Sequence, residues 1–194
     1  YISRSFNNRL PFQNGGQVEF SRNFFGLSNL LLLRKNLFGF SSNLSIGLDI
    51  ESQIDLRNRY DNLNGIRGNK VFQQDEIFLN QAFFIDQKVN FSKKIDLIIG
   101  ARYDNNSIKA IDKYFDDGNS SGDIHLSNFS PKIALVYSDN NQTLFSNIAS
   151  NFETPTLNEF SNNPNLSGGF NQQLYPQFSR QIEFGVRTFK KSFI

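Results

Sequence analysis

Residues 43–57 read NLSIGLDIESQIDLR. The even positions Leu44, Ile46, Leu48, Ile50, Ile54 and Leu56 are apolar, broken only by Ser52, while Asn43, Ser45, Gly47, Asp49, Glu51, Gln53, Asp55 and Arg57 are polar or small. Successive side chains of an extended chain point to opposite faces, so this period of two predicts a strand with one apolar and one hydrated face. Strands of ordinary globular domains run ~5 to 6 residues, whereas a tilted strand crossing a bilayer needs ~9 to 11 and often projects beyond it. Fifteen alternating residues favour the membrane.

The pattern recurs on both sides of this stretch. Ile77, Leu79, Phe83, Ile85, Val89 and Phe91 alternate with Glu76, Asn80, Asp86, Lys88 and Asn90, and Ile95, Leu97, Ile99, Ala101 and Tyr103 with Asp96, Gly100, Arg102 and Asp104. Phe129–Tyr137, Thr143–Phe152 and Ser179–Phe189 repeat it, and a less regular strand falls around Val18–Leu33, which makes about seven. Short turns are expected near 34–41, 92–94, 138–142 and 190–192, and long polar loops near 61–73, 112–127 and 153–178. Outer-membrane barrels have this asymmetry of short periplasmic turns and long extracellular loops. Rings at strand ends, Tyr60, Tyr103, Phe129 and Phe152 on the long-loop side with Phe91 and Tyr137 opposite, suit two interfacial girdles.

Composition narrows the alternatives. The 194 residues carry 20 Lys+Arg, 18 Asp+Glu, one His, 22 Phe and no Cys. That many rings require packing, which argues against disorder. A mean hydropathy of −0.43 and a longest aliphatic run of Leu30–Leu33 give no helix of the ~20 apolar residues needed to span a bilayer. A net charge of +2 is too mild to argue for nucleic acid, and absent Cys removes disulfides, thiolate metal sites and Cys nucleophiles. His125, expected in the loop 112–127, is the only imidazole, so no convergent catalytic constellation forms and no enzyme is expected. The run Asp116–Asp123 fails a calcium-loop register, because Phe115 occupies the third ligand position if Gly118 is the sixth.

The last quarter is the most distinctive. Residues 147–187 read NIASNFETPTLNEFSNNPNLSGGFNQQLYPQFSRQIEFGVR. Pro155 stops strand pairing, Thr156 and Glu159 have capping-box spacing, and Leu157 and Phe160 follow as apolar anchors, which predicts one helical turn over a barrel mouth. Gly168-Gly169 lets the loop bend, and Pro176 limits how early the next strand begins. Phe152, Thr154, Pro155, Thr156 and Glu159, then Asn163, Pro164, Leu166, Leu174, Pro176 and Ser179, and finally Glu183, Gly185 and Arg187 resemble the barrel of TonB-dependent outer-membrane receptors. Tyr175 and Ile182 depart from that pattern, where a polar or basic residue and an aromatic are usual.

The resemblance implies an all-β antiparallel meander that is part of a 22-stranded barrel in the bacterial outer membrane. It further implies partners: an N-terminal plug domain, the TonB complex reached through the plug, outer-membrane lipid, and a ferric siderophore or similar scarce nutrient as cargo. No cofactor is implied. The whole chain, 1–194, is expected to be one partial barrel domain without plug or signal peptide, a piece of something longer whose sheet needs further strands to close. Asp49, Glu51, Gln53, Arg102, Glu183 and Arg187 would face the lumen, either meeting water or bonding to a plug. Tyr114, Phe170 and Tyr175 are the loop aromatics placed to meet a ligand, or else to pack within their own loops. A passive porin-like barrel and a soluble extracellular β-sheet module remain the alternatives.

Overall fold

The computed structural model describes residues 1–9, 16–160 and 170–189. Eight strands, β1 (Ile2–Arg9), β2 (Gln17–Leu37), β3 (Phe40–Leu63), β4 (Ile66–Asn90), β5 (Ile95–Asp112), β6 (Gly122–Ser138), β7 (Gln142–Glu153) and β8 (Gln177–Thr188), form one antiparallel sheet in sequence order, with a single helical turn α1 (Leu157–Phe160). No helix among the described residues is long and apolar enough to cross a membrane.

Cross-strand register assigns the faces. Asp49, Glu51, Gln53, Asp55 and Arg57 of β3 pair with Ser28, Gly26, Phe24, Arg22 and Phe20 of β2 and with Ala82, Asn80, Phe78, Glu76 and Gln74 of β4. Partners share a face, so the hydrated side of β3 continues across the sheet as its inner surface. The outer surface is layered instead. Ile99, Ile133, Ile148 and Ile182 form one rung across β5 to β8, and Tyr103 with Phe129 and Phe152 with Phe178 form another on the long-loop side. Phe152 and Phe178 touch at 5.7 Å, and Phe40 meets Phe91 edge to face at 5.1 Å on the opposite margin. From Ile95 to Tyr103 is nine residues, at the lower end of the ~9 to 11 that a strand tilted near 45° needs to cross a bilayer.

Above the ring belt the polarity of the strands reverses. Asp123, His125 and Ser127 of β6 face out, and Ile124 and Leu126 face in, where Ile124 pairs with Ile108. β1 does the same, with Phe6 turned inward against Phe20 at 5.4 Å and Ser3, Ser5 and Asn7 outward. Ile108, Ala110 and Phe160 are buried here, a small inward core outside the bilayer.

Four expectations are corrected. The sheet has eight strands, because β1, with only Ile2 and Phe6 apolar, shows no alternation to read. Residues 61–73 are not a long loop: Asn64 (φ 55°) and Gly65 (φ 92°) make a two-residue turn directly between β3 and β4. Both left-handed angles suit the twist of a hairpin, and the Gly65 N–H donates to Asn62 Oδ1 at 2.7 Å. Likewise the loop at 112–127 shrinks to 113–121, and His125 lies on β6, 4.0 Å from Asp123 with both side chains mostly exposed. Tyr60 also stands above the belt, its ring under the Arg67 guanidinium at 4.1 Å and its hydroxyl donating to Glu19. The turns at 38–39, 91–94 and 139–141 are as short as expected; that at 190–192 lies outside the described residues. At the second and third of these, Lys94 bonds Asp139 at 3.0 Å, and the Asn140 N–H with Lys94 holds the Asp139 carboxyl below its usual range.

Inner-face glycines lie under large neighbours. A Cβ on Gly47 would sit 2.0 Å from the Phe84 ring and one on Gly185 would sit 2.1 Å from the Phe145 ring, each the glycine's cross-strand partner. Gly47→Ala is expected to lower barrel stability by about 1 to 3 kcal/mol, since the ring must swing off the wall. In a Phe84→Ala background the same change should cost much less; urea unfolding of the four proteins of this cycle measures the difference, and equal costs in both backgrounds would contradict the stacking.

Candidate functional site

The inner face near the long-loop end holds the densest polar network. Arg22 of β2 grips Asp55 of β3 with two bonds, Nε to Oδ1 at 2.7 Å and Nη2 to Oδ2 at 2.6 Å, and Gln53 adds a third at 3.1 Å. One rung away Arg57 donates to Glu76 of β4 at 2.6 Å, with Gln74 supporting Glu76 at 3.0 Å. Asp55 and Glu76 are almost wholly covered, so each carboxylate depends on its arginine. The register brings them together: alternate residues of three neighbouring strands are forced onto one face.

The β7–β8 connection folds back onto this surface. Pro155 ends the ladder, and Thr156 then opens α1 as expected, though its cap is one-sided. The Thr156 N–H donates to the Glu159 carboxylate at 2.6 Å and the hydroxyl donates to the same oxygen at 2.9 Å, so the side chain serves Glu159 instead of accepting from the helix. These two bonds, the N–H first, hold the Glu159 carboxyl below the ordinary glutamate range. The turn delivers Asn158 to Arg57 Nη1 at 2.8 Å, a contact between residues 101 apart in sequence. Phe160 is fully buried and stacks parallel on Phe170 at 5.1 Å, and Phe170 lies against Gly122 of β6. Between the turn and the wall lies an open cavity of about 370 Å³ lined by Arg22, Gln53, Asp55, Glu76, Phe78 and residues 154–158.

The remaining sequence-derived residues are spread over the inner wall. Arg102 bonds Asp49 at 2.7 Å and Asp104 at 2.9 Å, and Glu183 accepts from Asn147 at 2.7 Å. Glu51 and Arg187 stand exposed on the same face. Of the loop aromatics, Tyr114 follows β5, where the Asp112 carboxylate accepts from the N–H groups of Tyr114 and Ser120, both at 2.8 Å. Tyr175 is 85% exposed beside a shallow cavity that also touches Glu153, Thr154, Pro155 and Glu159. Phe170, the third of them, is taken up in its stack on Phe160. Thr154, Pro155, Pro176 and Gly185 occupy the strand ends and inner face as described, while Asn163, Pro164 and Leu166 lie outside the described residues.

Sequence reading missed Arg22 and Asn158. Arg22 sits in β2, whose inward positions include Phe20, Phe24, Leu30 and Leu32, so no alternation marks its hydrated face. Asn158 is brought to Arg57 by a fold-back that no local pattern announces.

Comparison with solved structures finds the same fold in part of two transporters. The ferric citrate transporter FecA in its unliganded form superposes with a TM-score of 0.77 over 96% of this chain and 28% of that one, at 13% identity. The copper transporter OprC gives 0.63 over 90% of this chain and 29% of that one, at 15% identity. The chain thus spans under a third of either transporter. At these identities the likeness concerns fold alone. The family description "TonB dependent receptor-like, beta-barrel" matches residues 1–194. With a lipid-facing band outside, a charged wall inside and that match across its whole length, the chain belongs to the TonB-dependent receptor β-barrel family, proteins of the bacterial outer membrane.

Proposed function

We propose that this chain is barrel wall of an active importer that takes up a chelated metal, most simply a ferric siderophore, using energy delivered by the TonB complex through a plug domain. The observation that carries the reading is the inner face: a wide wall of paired charges and neutral polar groups with a self-folded turn at its mouth, belonging to this family. The likeness to a ferric citrate transporter and a copper transporter supports a metal complex as the substrate class.

In this reading Asp49, Glu51, Gln53, Arg102, Glu183 and Arg187 meet the plug. Groups already paired within the wall can take an added hydrogen bond without being left as isolated charges, which suits a contact that must release during transport. Tyr175 offers its exposed ring to the incoming ligand, Tyr114 does so from the β5–β6 connection, and Phe170 supports the loop that carries α1. The α1 turn narrows the mouth above the Arg22–Asp55 pair.

Uptake of radiolabelled ferric chelates by cells producing the complete receptor tests the function. Uptake is expected to need a working TonB complex; equal uptake without it, or conductance typical of an open pore, would overturn active import. Tyr175→Ala is expected to raise the uptake KM by about three- to tenfold, the worth of one aromatic contact.

The docking of the turn has its own tests. Arg57→Ala strands Glu76 and frees Asn158 from its guanidinium partner, so amide exchange across 156–160 should quicken at least about tenfold, whereas Arg57→Lys should preserve part of the protection. Because the Glu159 carboxyl is depressed, its cap is complete above the ordinary glutamate pKa of ~4.3 and is lost only as pH falls through the lower folded value. Exchange corrected for its intrinsic pH dependence should therefore stay flat down to about pH 5 and rise progressively as the pH falls below ~4.3. A rise at higher pH would contradict the capping geometry.

A further inference from the structure

The ladder between β6 and β7 is incomplete. It runs from Ser138–Thr143 to Lys132–Ala149 and stops, although β6 stays paired with β5 up to Gly122 and β7 stays paired with β8 up to Glu153. The first residue beyond the last rung is Pro131, which has no N–H to give. Two strands of the wall thus separate inside the apolar band, just below the Phe129 and Phe152 belt.

The outer surface at the split is a groove. The rung there consists of Ala101, Pro131 and Ser150, small residues set between the ring belt above and the isoleucine rung below. The resulting hollow holds about 620 Å³ and is walled mainly by Ile99, Phe129, Ile133 and Ile148. A smaller inner cavity of about 340 Å³ shares Lys132, Ala149 and Ser150 with it, so the wall is thin at this point.

Arg180 stands at the upper end of the groove. Its register partner is Ser150, which puts the guanidinium on the outer, lipid-facing side between Phe178 and Ile182. It is exposed and forms no salt bridge or side-chain hydrogen bond with any described residue. One rung below the belt corresponds to ~5 Å of depth at a 45° tilt, where an arginine costs ~0–1 kcal/mol and its long stem can reach the headgroup level. A cation at that height meets lipid phosphate, and the fork of N–H groups fits a phosphate's oxygens. The apolar hollow runs from Arg180 toward the bilayer centre, the same direction in which an outer-leaflet lipid points its chains.

We propose that the β6–β7 split is a lipid site: Arg180 holds the phosphate of an outer-leaflet lipid, and one acyl chain fills the groove over Pro131 and Ser150 between the isoleucines. The bound chain seals the thin part of the wall where the ladder is missing. This site lies on the outer face and is independent of what the lumen carries.

Native mass spectrometry of the complete, delipidated receptor tests it, with bisphosphorylated lipid A, the same lipid without phosphates, and inorganic phosphate as probes. One tightly retained bisphosphorylated lipid is expected, with the dephosphorylated form at least about tenfold weaker and inorganic phosphate unable to displace it. Arg180→Ala should weaken retention about tenfold by removing the charge, and Ser150→Leu should do so by filling the groove while the arginine remains. Both substitutions are on the lipid side, and retained heat-modifiable migration on gels verifies that the barrel still folds. Equal retention by both variants, equal binding of the dephosphorylated lipid, or displacement by inorganic phosphate would each overturn the site.

Discussion

A backbone that enters hydrocarbon must bring its own hydrogen-bond partners, and the rest of this molecule follows from that constraint. Every strand is therefore committed to a neighbour, and commitment to a neighbour fixes register. With register fixed, each side chain is assigned to lipid or lumen by parity alone, because a slip of one residue would turn Ile46, Leu48 and Ile50 inward and Asp49 and Glu51 into the bilayer. The salt bridges of the inner wall are consequences of this parity. Arg22 meets Asp55, and Arg102 meets Asp49 across the intervening β4, because the ladder leaves them no other side to occupy.

The same logic explains why the strands change character above the ring belt. Once the outer side is water, nothing rewards apolar residues facing out, and Ile124, Leu126, Phe20 and Phe6 turn inward instead. The segment that folds back from β7 likewise buries Phe160, stacked on Phe170. The molecule thus obeys two rules of burial along one continuous set of strands, and the belt of rings marks where one gives way to the other.

That boundary also separates what the sequence makes legible from what it hides. The crossing segments of β3, β4 and β5 are plain, because one face meets lipid and the other does not. Beyond the belt both faces of β3 and β4 carry polar residues, so Asp61 to Gln73 reads like loop although Asn64-Gly65, a strong two-residue hairpin signal, stands within it. His125 reads as loop for another reason: Ile124 and Leu126 alternate with Asp123, His125 and Ser127 in the opposite parity to Phe129, Ile133 and Leu135 of the crossing segment. The α1 turn was legible through Pro155, Thr156 and Glu159, since capping is local chemistry; its landing point on Arg57 was not, since that depends on strands far away in sequence. Lumen-facing residues were read from parity in β3, β5 and β8, whereas β2 concealed Arg22 behind inward Leu30 and Leu32.

The glycines packed under rings on the inner wall have an implication for how such a wall tolerates change. Gly47 with Phe84, and Gly185 with Phe145, are couples in which one member's missing side chain is the other's resting place. Neither partner can drift alone: a methyl group gained at the glycine evicts the ring, and a ring lost leaves bare backbone to the lumen. Such sites should wander through sequence space two at a time, so correlated exchange between adjacent strands would trace the wall's register in relatives too distant to align by eye.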